Sequence, residues 1–144
     1  MQPASPAADF EPEYLRLLAS GELARRYSKA RNYVEANQAA VREMHRQVGD
    51  LVVDDDDDGI ARRGLLLRPL LLPEGIAGTD RVLAFLAGEI SRDTYVNLMD
   101  QYRPCYRADE YSEIDRPITN AGFREALAAA ERLGLTRIDA RPAR

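Results

Sequence analysis

Arg68 stands in the middle of GLLLRPLLLPEG, the most apolar run of the chain, and it is the residue whose placement most invites chemistry. Read as a strand, the run puts Leu66, Arg68, Leu70 and Leu72 on one face and Leu65, Leu67, Pro69 and Leu71 on the other. A strand apolar on both faces is expected to be buried on both. A guanidinium held there needs an acid, a set of carbonyls, or an anionic ligand such as a carboxylate, which its planar fork of donors suits. Structural ion pairing and ligand binding both satisfy that need. A second run, TYVNLMDQYRP, places Asn97, Met99 and Gln101 on one face. Two amides and a thioether in a row suit the wall of a cavity for a ligand of mixed polarity, or else the strand ends at Leu98 and the rest is loop.

The other reactive residues point to less. Asp54 to Asp58 followed by Gly59 mimics the start of a calcium loop, but Leu65 falls where that loop needs a bidentate glutamate, so a solvated turn is the expected reading. His45 is the single histidine, which excludes a site built on paired histidines and leaves a surface or boundary residue. Cys105 is the single cysteine, so no internal disulfide forms and no site needing several thiolates is supplied by this chain. Placed in a loop with nothing to depress its pKa, it is expected to be inert.

The elements that must position these residues follow from periodicity. Residues 1–8 are rich in Pro and Ala and are expected to form a flexible tail, with a further tail over 141–144. Pro12 to Ala30 reads as helix broken at Gly21. Asn32 to Gly49 reads as an amphipathic helix with Val34, Val41, Met44 and Val48 on its apolar stripe, Asn32 as N-cap and Gly49 as stop. Gly64–Pro73 is the first strand. Thr79 is expected to cap a helix with Val82, Leu83, Phe85, Leu86 and Ile90 facing the core. Thr94–Met99 is the second strand. A tyrosine-rich loop then leads to a helix from Thr119, carrying Phe123, Leu127 and Leu133 and stopped at Gly134, and TRID offers a short last strand.

Strands alternating with helices predict an α/β fold with a parallel sheet. The chain has 144 residues, 45% hydrophobic and 31% charged, which suits one globular domain. Two firm strands and a weak one make a small sheet, so the chain reads as part of an α/β layer. A net charge of −4, with the cations scattered among acids, argues against nucleic acid as a partner. The absence of a long apolar run argues against a membrane, and the chain is expected to be soluble and cytoplasmic.

Several strings, REMHRQVGDL, GIARRGLLLRPLLLPEGIAGT, ISRDTYVNLMDQYRPCYRADEY and the closing RLGLTRID, together resemble the C-terminal half of radical S-adenosylmethionine proteins of the pyruvate formate-lyase activating enzyme-like group. The likeness runs from about Asp9 to Asp139, one domain of roughly residues 9–140. It implies the later strands and helices of a partial, TIM-like (β/α)6 barrel. In such proteins an N-terminal CxxxCxxC loop holds a [4Fe-4S] cluster that cleaves S-adenosylmethionine reductively to a 5′-deoxyadenosyl radical, in some members to activate a glycyl-radical enzyme.

By that resemblance Arg68, Asn97 and Met99 are expected to contact the cofactor, and Gln101 and Tyr102 the substrate, with no metal ligand in this chain. The implied partners are the cluster-bearing half, or a protein supplying it, and a glycyl-radical enzyme as target. S-adenosylmethionine and the cluster are implied for the whole family protein, and neither is expected to be held stably by this chain alone.

The departures from the pattern are specific. Asp9 and Phe10 align with the end of a Pro-Asp-Phe-Lys motif whose lysine is replaced by Glu11 and whose strand is replaced by MQPASPAA. Many relatives have histidine where Pro69 stands, and the aspartate run is extra. A start at Met1 then reads as a truncated product, a split gene or a misplaced start codon. A non-catalytic fragment or interaction remnant is the alternative to an enzyme part. An unpaired edge on the first strand predicts poor solubility or pairing with a partner.

Overall fold

The polar, glycine-punctuated connections divide the chain into short elements, and the structure, a computed structural model, describes residues 21–28, 31–56 and 59–140 of it. The expected tails, the Asp9–Phe10 motif with Glu11, and the helical start at Pro12 lie outside those residues. The described helices begin with α1, Gly21–Ser28, and α2, Tyr33–Val48. A hairpin follows, β1 at Val52–Asp54 and β2 at Ile60–Arg63. Then come β3 at Leu66–Leu67, a 3-10 turn at Pro73–Gly75, and α3 at Thr79–Phe85, which continues as a π-helical turn over Leu86–Ile90. The chain ends with β4 at Tyr95–Asn97, a 3-10 turn at Ala108–Glu110, α4 at Asn120–Arg132 and β5 at Ile138–Asp139.

The α/β expectation is met. β3, β4 and β5 form a parallel sheet in the order β3-β4-β5, with Leu66 opposite Tyr95, Leu67 opposite Val96, and Val96 opposite Ile138. Helical crossovers join the strands, as parallel pairing requires. Pairing persists beyond the named strands: Leu71 N donates to Met99 O at 2.9 Å and Met99 N to Pro69 O at 3.1 Å. The second strand therefore does not stop at Leu98. The sheet is small and open, so the barrel geometry is not among the described features.

One face of the sheet is the core. Leu65, Leu71, Val96, Leu98 and Leu135 are buried against Leu83 and Leu86 of α3 and its π turn and against Ala126, Ala129 and Ala130 of α4. The alanines let α4 approach closely, whereas Phe123, Leu127 and Leu133 are only partly buried at the margin. Several expected core positions differ. Of the α2 stripe Val41 is buried, but Met44 and Val48 are exposed. Val82 is also exposed.

Helix ends match the sequence in part. Thr119 caps α4, its hydroxyl accepting from Gly122 N at 3.1 Å, and Gly134 follows at φ 76°. Asn32 occupies the N-cap of α2 in left-handed backbone without a side-chain capping bond, and α3 is capped by Gly78 while Thr79 is its first, buried residue.

The hairpin is the element the sequence concealed. The aspartate run falls between the two strands of this hairpin rather than between a helix and a strand: β1 and β2 pair antiparallel, Asp54 opposite Ile60. The excursion is closed at its neck, where Leu65 N donates to Gly49 O at 2.9 Å and Asp50 bridges Leu65. Asp50 pins the same place by side chain. One carboxylate oxygen meets His45 Nε2 at 2.9 Å and the other accepts from Ser91 Oγ at 2.8 Å, tying α2 to the end of the π turn. His45 is thus a boundary residue with a structural partner.

Candidate functional site

Among the described residues the helices pack on one side of the sheet, so the residues at even positions of β3 and odd positions of β4 look out from a face those helices leave open. Leu66 is 41% exposed and Leu70 39%. Arg68 is exposed between them, which corrects the expectation of a strand buried on both faces. Its guanidinium carries no burial cost. Among the described residues its hydrogen-bond partner is a neutral amide: Arg68 Nε donates to Asn97 Oδ1 at 3.1 Å. Asn97 is held in turn by its own Nδ2, which donates to the backbone oxygen of Asp139 at 3.3 Å. A relay from β3 through β4 to β5 thereby fixes the guanidinium over the sheet without neutralising it.

The hairpin folds over the start of this face and leaves a recess of about 600 Å³, walled by Val53 and Ala61 on one side and by Leu66, Arg68, Tyr95 and Asn97 on the other, with Asp139 at its edge. The lining joins a cation, an amide and a phenol ring to apolar side chains, the mixture that places an amphipathic small molecule. Arg137 stacks over the Tyr95 ring, 5.5 Å from its centroid, while donating to Asp93 O at 3.1 Å. That holds the ring at the bottom of the strand.

The expected site residues do not all meet there. Arg68 and Asn97 do. Met99 lies further along β4, opposite Leu70, and Gln101 is exposed beyond it, its Nε2 3.4 Å from Met99 Sδ. Tyr102 turns away into the tyrosine-rich loop, where its hydroxyl donates to Ile114 O at 2.9 Å. Tyr95 and Asp139 are the residues sequence reasoning missed. Stepping back two positions from Asn97 finds the first, and reading TRID as paired with β4 finds the second.

Burial, with smaller contributions from Cys105 and Asp115, raises the Tyr102 phenol above its ordinary value of 10.0. A folded-state pKa above the unfolded one means that stability from this group is fully present below pH about 10 and is lost as pH rises through the folded value. A spectrophotometric titration at the phenolate band should therefore show a phase above the ordinary phenol value, and Tyr102→Phe should remove it.

Cys105 is exposed and free. Among the described residues no group of His, Cys, Asp and Glu could hold a metal ion, and no helix is long and apolar enough to cross a membrane. The donors in hand do not suit an iron–sulfur cluster, which needs several thiolates.

Fold and site together define an α/β protein whose described residues form a parallel sheet with helices on one face and a recess of mixed polarity on the other. Against curated proteins the chain is similar to the one named "Uncharacterized protein MJ0674" of Methanocaldococcus jannaschii, 28% identical over 117 residues, which are 81% of this chain and 30% of that protein. The chain thus spans less than a third of the length of the relative it matches. No protein family and no solved structure matches it.

Proposed function

We propose that this chain is the C-terminal part of a radical S-adenosylmethionine protein of the activating-enzyme-like group, contributing the later strands of a partial (β/α)6 barrel. Its uncovered sheet face is then the barrel interior. The carrying observation is Arg68, held by Asn97 yet not neutralised, beside a recess on the face that helices leave open. Parallel sheets are normally covered on both sides, which supports a part of a larger layer. The length of the Methanocaldococcus jannaschii relative beyond the matched stretch supports the same reading.

In this role Arg68 binds the carboxylate of S-adenosylmethionine, Asn97 keeps the guanidinium aimed, and Tyr95 with Leu66 packs the less polar body of the ligand. Met99, Gln101 and Tyr102 stand nearer the substrate. The cluster belongs to a polypeptide segment outside these residues, because the thiolates for it are not here, and no chemical step is assigned to this chain's side chains. The same missing thiolates favour a second reading, a non-catalytic remnant that keeps the packing.

Titration calorimetry with S-adenosylmethionine and with adenosine tests the ligand assignment. The expected result is weak binding of the first alone, as suits a site without its cluster-bearing half, and a further loss of about tenfold or more in Arg68→Ala, the worth of a charge-assisted pair. Equal affinity of variant and parent would sink the assignment. Anaerobic iron–sulfur reconstitution of the purified chain should yield no stable cluster, and a stoichiometric [4Fe-4S] spectrum would overturn the division of roles.

A further inference from the structure

Among the described residues β3 is an edge strand, and the way Pro69 sits in it decides what the edge can do. In a parallel ladder the N–H and C=O of one residue point to the same neighbour and those of the next residue to the other side. Pro69 O and Leu71 N both bond Met99, so odd positions face β4 and the backbone groups of Arg68 and Leu70 face outward. Proline commonly protects an edge by removing a donor. Here the removed donor lies on the β4 side, and both outward donors, at Arg68 and Leu70, remain. Among the described residues no backbone group pairs with them. The chain at Gly49–Leu51 covers the edge only as far as Leu65.

Beside this edge lies an apolar groove of about 450 Å³ between α2 and α3, lined by Tyr33, Val41, Pro69, Leu70, Val82 and Phe85. Tyr33 is 50% exposed and Val82 40%.

We propose that the edge pairs with the β3 edge of a second copy of this chain, antiparallel about a twofold axis at Pro69. The pattern is self-complementary in that register. Arg68 N–H meets Leu70 O of the other copy, Leu70 N–H meets Arg68 O, and the symmetry repeats both bonds. Pro69 faces its own equivalent at a non-hydrogen-bonded position, where it needs no donor, with Cα atoms about 4.5 Å apart. Each Arg68 lies beside a leucine instead of the other arginine, so like charges are offset. The exposed Tyr33, Leu70 and Val82 supply apolar area at the seam, as an isologous contact requires. This inference uses the strand edge alone and concerns the chain by itself: in the barrel proposed above, the preceding strand would take this same edge in place of the second copy. A strand added from another polypeptide would use the same edge and exclude the homodimer.

Sedimentation equilibrium of the full chain should give twice the chain mass, and Leu70→Pro, which deletes an outward donor, should return it to one chain mass. The register is read separately in a Cys105→Ser background. Pro69→Cys should form a disulfide-linked dimer on oxidation, since non-hydrogen-bonded antiparallel neighbours lie within disulfide reach, and Arg68→Cys should not. Should Leu70→Pro fail to fold, the two cysteine variants decide. A monomer at every concentration, a dimer indifferent to Leu70→Pro, or crosslinking through position 68 in place of 69 overturns the proposal.

Discussion

Gly64→Ala should destabilise the chain by about 3 kcal/mol or more, since it combines a backbone conformation alien to L-residues with a collision against main chain. Gly64 has φ 109°, and a Cβ placed on it would lie 2.2 Å from Asp50 O and 2.5 Å from Leu51 Cα. Neither neighbour is a side-chain end that can swing aside. Both belong to the neck where Leu65 N is bonded to Gly49 O, so relief means opening the neck. Two residues further on is Leu66 and then the strand that carries Arg68, so the displacement is expected to loosen the Arg68–Asn97 contact as well. Gly75 is the comparison: φ is 67° but nothing lies within 4 Å of its Cβ position. Gly75→Ala should cost only the left-handed strain, about 1–2 kcal/mol. Urea unfolding of both variants separates the two terms. Equal losses would show that the close approach at Gly64 carries no energy.

The sequence displayed the order of elements because strand and helix periods differ, and it displayed several ends because Gly49, Gly134 and Thr119 act locally. What it hid depended on neighbours far along the chain. Arg68 posed a burial problem only on the premise that an apolar run is covered on both faces. Period-two spacing places Leu66, Arg68 and Leu70 together, but cannot say that no helix lies above them. The hairpin was hidden for a different reason. Its strands are short, and its turn is an acidic run that reads as a solvated link. Only the neck at Gly64, a contact between residues separated by the whole excursion, makes it a closed unit. The recess in turn depends on the hairpin. Asn97 could be named as a polar wall residue, while Val53 and Ala61, its opposite wall, could not.

Val82 and Leu83 carry the remaining large prediction, because adjacent apolar residues of one helix meet opposite surroundings. Leu83 is 0% exposed, packed among Leu65, Leu71 and the α4 alanines, whereas Val82 is 40% exposed at the groove beside β3. Leu83→Ala leaves a void lined by main-chain-close alanines, which have no long side chains to move into it. Such truncations cost about 2–5 kcal/mol, and limited collapse places this one toward the upper end. Domains of this size hold only ~5–15 kcal/mol in all, so the variant should show a markedly lower urea midpoint. Val82→Ala in dilute chain should change stability by less than about 1 kcal/mol, since little area leaves water at that site on folding. A sequence pattern that counts both as core predicts similar losses. A large loss at Val82 and a small one at Leu83 would mean that α3 is rotated from its observed packing, and with it the crossover that sets β3 beside β4.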